Sequence, residues 1–374
     1  MIYLDNSATT QTRVEVAKLV AEYSINNYFN PSSVYVPAIN VKLDIDNARK
    51  RIMALLGVTS GKVIFTGSAT EANNLVLNGL ARKNKKIVIS NGEHPSVFEV
   101  AKNLQNLGYM VEFVALNPDG TINLDDLASK VDENTGLVSV IHISNETGAV
   151  NDIAKISYIV KSRAPDCLVH CDGVQAFGKL KINLLNADVD LYTISSHKIH
   201  GPKGVAGLYF RDSVNLKPHI LGGGQEGGLR SGTENPAGIL GFTLACELMY
   251  EHFEEKRAHI RELKQYFIAS LQKTSLQYII NGNPENCLEN VLSVSFLGVR
   301  GEVLLHCLEK YEIYVSTGSA CSSKHVGNRV LSSMGLAPKQ MEGNIRFSFS
   351  EFNTKNEIDI VVKALQKEIR DLLS

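Results

Sequence analysis

From about residue 62 onward the chain alternates short apolar or β-branched runs with longer stretches in which apolar positions recur at helical spacing. The short runs are Lys62 to Phe65, Lys86 to Ser90, Met110 to Leu116, Gly136 to Ser144, Cys167 to Asp172, Asp190 to Ser195 and Val205 to Phe210. This alternation predicts βα units around a mostly parallel sheet, an α/β fold. Glu247 to Ser275 reads as one long charged amphipathic helix bridging two domains, with Leu248, Phe253, Ile260, Leu263, Phe267 and Leu271 along its apolar stripe. Beyond it, Val291 to Phe296, Glu312 to Ser316 and Asn344 to Phe349 read as strands, and Gly301 to Cys307 and Glu357 to Leu373 as helices, the makings of a smaller α+β domain. The expected division is a large domain over residues 15–250 and a small one built from residues 1–14 and 251–374.

Composition narrows the class. A hydrophobic fraction of 44% beside 21% charged residues excludes global disorder. With 38 Lys and Arg against 39 Asp and Glu the net charge is −1, so no basic excess points to nucleic acid or an anionic membrane. No apolar run nears the roughly 18 residues that a membrane span needs, and Asp5 interrupts any signal-peptide core, so the expected address is the cytoplasm. The six cysteines, at 167, 171, 246, 287, 307 and 321, are too sparse for a disulfide scaffold and include no C-x-x-C pair.

Several predicted strands end in small or polar residues, and ligands of open α/β sheets bind beyond strand carboxyl ends. Lys198, in Ile194-Ser195-Ser196-His197-Lys198-Ile199-His200-Gly201-Pro202, follows such an end. A lysine there is commonly just solvated, but lysine also bonds aldehydes as a Schiff base, and pyridoxal phosphate is the commonest cofactor held so. Asp172 ends another strand and either caps the next helix or keeps a pyridine nitrogen protonated. Thr66-Gly67-Ser68-Ala69-Thr70-Glu71 opens a helix and is an ordinary capped start or a phosphate cradle, though not a Walker loop. His94 and Asn145, in Glu93-His94-Pro95 and His142 to Gly148, follow strand ends and suit ring stacking with proton exchange and hydrogen bonding to a ring hydroxyl. Cys321, in Ser316 to Lys324, is the one cysteine in a hydroxyl-rich loop, where exposure favours reactivity, whereas Cys167 reads as buried and inert. Arg346 lies in a strand-like apolar run and suits a bidentate grip on a carboxylate. No spacing suggests a metal site.

Taken together, these segments resemble the pyridoxal-phosphate-dependent cysteine desulfurases of the NifS/IscS type, within the class V aminotransferase family of fold type I. The likeness spans nearly the whole chain: Tyr3 to Thr10, Asn30-Pro31, Phe65 to Asn74, Glu93-His94, His142 to Gly148, His170 to Gln175, Ser196 to Gly204, Gly222 to Thr233, Cys321 and Arg346 occur in the family's order. The resemblance implies that Lys198 anchors pyridoxal 5'-phosphate and that Asp172 pairs with its ring nitrogen. Gln175 and Asn145 would attend the ring hydroxyl, Asn145 also reaching the substrate, and His94 would stack on the ring and move protons. Ala69, Thr70, Ser195 and His197 would hold the phosphate, joined by Thr233 from the second subunit of a homodimer. Arg346 would hold the carboxylate of L-cysteine, and Cys321 would take its sulfur as a persulfide, releasing L-alanine.

The acceptor implied is a protein of iron-sulfur cluster, thio-tRNA or thiamin synthesis, with no direct role for nucleic acid or membrane. The chain's end at Ser374, short of the tail many cluster-assembly members carry, argues less for that pathway. Two departures, His200 where the family usually has tyrosine and Val36 where a histidine often stands, bear on substrate grip. A selenocysteine lyase or another class V aminotransferase is the alternative reading. A non-enzymatic sulfur carrier fits poorly beside Lys198, Asp172 and His94 together.

Overall fold

The computed structural model describes residues 1–317 and 329–374. Its strands are β1 (Ile2–Tyr3), β2 (Lys62–Thr66), β3 (Lys86–Ser90), β4 (Val111–Val114), β5 (Thr135–Ile141), β6 (Leu168–Asp172), β7 (Leu191–Ser195), β8 (Ala206–Phe210), β9 (Tyr278–Asn281), β10 (Val291–Phe296), β11 (Ile313–Tyr314) and β12 (Asn344–Ser348). All seven expected strands of the first half form, each within a few residues of its predicted bounds. They make one sheet in the order β2-β8-β7-β6-β5-β3-β4. From β7 to β4 all neighbours run parallel, whereas β8 is antiparallel to both β7 and β2. Every residue of β3 and β7 is buried. Helices cover both faces of such a sheet, which is why these strands read as unbroken apolar runs rather than alternating ones.

The expected bridging helix is in fact two. Pro236–Tyr250 packs its apolar residues against helices Val14–Asn26 and Val36–Leu55, and a second helix runs Phe253–Gln272. Between them Glu251 is extended and His252 adopts a left-handed conformation at φ 51°. Apolar spacing persists through the break because Phe253 stacks on Tyr250, with ring centroids 5.3 Å apart, so periodicity alone concealed it.

A second apolar cluster gathers Leu4, Leu263, Phe267, Leu271, Phe296, Phe347, Phe349 and Leu365. It lies under the antiparallel sheet β12-β10-β9 and helices Phe253–Gln272 and Lys355–Leu373. The chain's start joins this cluster: β1 pairs in parallel with β11, and Asp5 bridges to Ser348 at the end of β12. Among the described residues, no helix is long and apolar enough to cross a membrane.

Candidate active site

Because β3, β5, β6 and β7 run parallel, their carboxyl ends open on one edge, and the segments that follow them carry Glu93-His94, His142 to Gly148, Asp172 and Lys198. Asp172 and Thr193 are partners across β6 and β7. The buried Asp172 carboxylate accepts from Asn73 Nδ2 at 2.9 Å and from the Val174 backbone N–H at 3.1 Å. Asn73, on helix Ala69–Leu80, also donates to Ser96 Oγ at 2.9 Å and so ties the Asp172 strand end to the His94 segment.

Lys198 Nζ donates to the backbone carbonyls of Ser7 at 2.6 Å and Ala8 at 2.7 Å. Burial, helped by the charge of Arg346, pushes its amine down to about 8. That leaves a usable fraction neutral, and so nucleophilic, near neutral pH. Gln175 is buried beside it: Nε2 donates to the same Ser7 carbonyl at 2.9 Å, and Oε1 accepts from Lys179 at 2.8 Å. His94 caps helix Pro95–Asn106 by accepting the Ser96 N–H at Nδ1, which places the proton of the neutral ring on Nε2. Burial lowers its proton affinity, partly opposed by Asp172.

Arg346 on β12 is buried, with Nη2 2.9 Å from Asp5 Oδ1 and Nη1 donating to the Asn145 carbonyl at 2.8 Å. Asn145 in turn donates from Nδ2 to Glu146 at 2.8 Å. Ala69 and Thr70 occupy the first turn of helix Ala69–Leu80, whose leading N–H groups have no intrahelical acceptor. Ser68 caps that helix by accepting from the Glu71 N–H at 3.1 Å. The helix packs against β7, where the buried Ser195 hydroxyl has no partner among the described residues. His197 Nδ1 is 3.1 Å from Thr9 Oγ1, and burial, then Lys198, pushes its imidazole down to about 4.

Of the expected residues that are described, one is not gathered with these. Thr233 is exposed and lines a surface cavity with Tyr23, Asn27 and Phe29. Cys321 lies outside the described residues. Its described flanks nonetheless meet site residues: Ser316 pairs with Arg346 through backbone hydrogen bonds of 3.2 and 2.6 Å, and Arg329 donates to the carbonyls of Asn91 and Glu93. Of the two departures noted in the sequence, His200 bonds the Gln11 carbonyl at 2.9 Å and meets Phe352 edge-on, and Val36 is exposed.

Sequence reasoning missed Asn73, Lys179, Asp5 and Arg329, and it missed Ser7 as a carbonyl acceptor. Ser7 contributes a backbone atom, which no side-chain pattern reveals, Asn73, Asp5 and Arg329 acquire meaning only through distant partners, and Lys179 only through the burial it shares with Gln175. Among the described residues no His, Cys, Asp and Glu cluster could hold a metal.

These groups fit a ring bearing an aldehyde, a basic nitrogen and a phosphate. A lysine of lowered proton affinity, a buried carboxylate, an orphaned hydroxyl and an open helix start are the donors and acceptors such a molecule requires. Comparison with known proteins agrees. The model of the aminotransferase class-V family matches residues 2–361. The chain belongs to the class V aminotransferase family. A cysteine desulfurase of Trichormus azollae is 37% identical over 380 residues, covering 100% of this chain and 94% of its own. Cysteine desulfurase IscS 1 of Archaeoglobus fulgidus is 37% identical over 379 residues, covering 100% and 98%. Among solved structures, a NifS-like protein superposes with a TM-score of 0.93 at 35% identity, covering 99% of each chain. As members of this family, the chain and that structure share the fold type I architecture: a mostly parallel central sheet flanked by helices.

Proposed function

We infer that this protein is a pyridoxal-phosphate-dependent cysteine desulfurase, converting L-cysteine to L-alanine and passing the sulfur on through a persulfide. The observation that carries the reading is that Lys198, Asp172 and His94 lie near one another at the carboxyl edge of one sheet, in a chain whose full-length relatives are named cysteine desulfurases. When bound, pyridoxal phosphate supplies an aldehyde for amines and a ring that withdraws electrons from the substrate α-carbon.

The chain's own residues do the rest. Lys198 would anchor the cofactor, and its amine, when free, would take the α-proton at Nζ. Asp172, kept in place by Asn73 and Val174, holds a proton on the ring nitrogen. Ala69, Thr70, Ser195, His197 and the partner subunit's Thr233 hold the phosphate. His94 covers the ring and moves a proton at Nε2, and Gln175 and Asn145 attend the ring hydroxyl. Arg346 grips the substrate carboxylate. The Cys321 thiolate attacks the substrate sulfur: an S–S bond forms, the C–S bond breaks, and its electron pair stays with the carbon skeleton that leaves as alanine.

A homodimer completes the site. Val36, Ile39 and Leu43 form an exposed apolar stripe on helix Val36–Leu55, continued by exposed Tyr28, Val34 and Tyr35. A second copy of the same surface would cover it, and Thr233 lies next to it beside Tyr28 and Asn30. The apolar residues packed on the seven-stranded sheet form the core of the large domain, and the cluster around Phe267 and Phe347 that of the small one. The sulfur acceptor is a protein. The five described cysteines are all free thiols, which suits the cytoplasm.

The test is alanine release from L-cysteine with a reductant present, alongside selenocysteine, for the wild type, Cys321→Ala and Lys198→Ala. Alanine from the wild type and from neither variant is expected. A cofactor-loaded wild type that yields none, or a Cys321→Ala variant with full turnover, would overturn the reading.

A further inference from the structure

Lys179 is a lysine with no role in the chemistry above, yet it is only 7% exposed. It lies in the turn after β6, and among the described residues its Nζ donates to Gln175 Oε1 at 2.8 Å. With Lys198 it lines a cavity of ≈ 30 Å³, room for about one water molecule. The other ionisable groups on that cavity are His200, Lys256, Arg257 and Glu351. Burying an amine among so many cations is unfavourable, and chains retain such groups chiefly where a site uses them. Burial first, then the charges of Lys198 and Arg346, push Lys179 down to about 7.

We propose that Lys179 is a positioning residue of the cofactor site, whose Nζ holds the carbonyl end of the Gln175 amide and so turns the NH₂ end toward Ser7 and the ring. A lysine always has an N–H to give, charged or neutral, so Oε1 is the end of the amide that it selects. One Nε2 hydrogen goes to the Ser7 carbonyl at 2.9 Å, and the second remains for the ring hydroxyl oxygen. Without Lys179 the carbonyl end loses its partner. The amide then has less reason to keep a donor facing the ring, and Ser7, which also accepts from Lys198 at 2.6 Å, is shared differently. The proposal rests on the cofactor reading in one respect, that Gln175 faces the ring.

The experiment is a double-mutant cycle read out as the dissociation constant of pyridoxal phosphate, followed by absorbance in the full-length protein without substrate. Lys179→Met should weaken binding about ten-fold, and Lys179→Arg, which keeps the donor, should stay within about three-fold of the wild type. In a Gln175→Leu background, adding Lys179→Met should change the constant by less than about two-fold, because no amide remains to be oriented. Lys179→Leu, which likewise has no donor, replaces the methionine variant if that variant loses its helical circular dichroism. Two outcomes sink the proposal alone: a Lys179→Met protein that binds like the wild type, or a full ten-fold loss that persists in Gln175→Leu. A wild type that binds no pyridoxal phosphate sinks the cofactor reading and this proposal with it, and alanine release judges the desulfurase reading independently.

Discussion

Glu93 is fully buried next to His94, its Oε1 accepting from Ser90 Oγ and, at 2.6 Å, from the Ile141 N–H, while Oε2 has no partner among the described residues. Burial pushes its carboxyl up to about 8, against the pull of those hydrogen bonds. Between the unfolded value of about 4.3 and the folded one, the native state holds a proton that the unfolded chain has released, so stability falls as pH rises through that window. Glu93→Gln keeps the acceptor and removes the ionisation. Urea unfolding at several pH values should show a flatter profile for the variant between pH 5 and 8, the difference reaching at most about 1.4 kcal/mol per unit. Parallel profiles would exclude this assignment. At the same scale, Arg346→Lys loses the planar fork while keeping charge. Its KM for cysteine should rise on the order of ten-fold with kcat less affected, and steady-state kinetics would show the split.

Elements in this fold are delimited by local chemistry that can be tested away from the site. Helix Lys355–Leu373 opens with a capping box in which Thr354 accepts from the Glu357 N–H and the Glu357 side chain accepts from the Thr354 N–H. Thr354→Ala should lower unfolding free energy by about 1 kcal/mol, with alanine release unchanged. An equal stability in denaturant would show the box to be dispensable. The Glu251–His252 break teaches the opposite lesson. Apolar spacing continues across it, and it exists because one helix must follow the sheet's core while the next packs under β10 and β12.

At the scale of the whole molecule, the homodimer proposed above would cover the exposed stripe on helix Val36–Leu55 and so tie assembly to catalysis. Replacing both Ile39 and Leu43 by Glu should yield a monomer by sedimentation velocity that retains pyridoxal phosphate poorly, since the proposed contribution of the partner subunit's Thr233 would then be missing. A monomeric wild type that keeps its cofactor would refute the link.

The sequence by itself determined the α/β class, the strand ends that carry Asp172 and Lys198, and the kinds of side chain on them, because apolar runs and their polar endings are local in the chain. Only the tertiary structure decided that β8 enters antiparallel between β7 and β2, and that Asp5 meets Arg346 across 341 residues of sequence. It alone seated Lys198 and Gln175 on one backbone carbonyl, with Lys179 behind them. Strand order and buried polar partners are settled by which distant surfaces exclude water together, and no local pattern of residues encodes that choice.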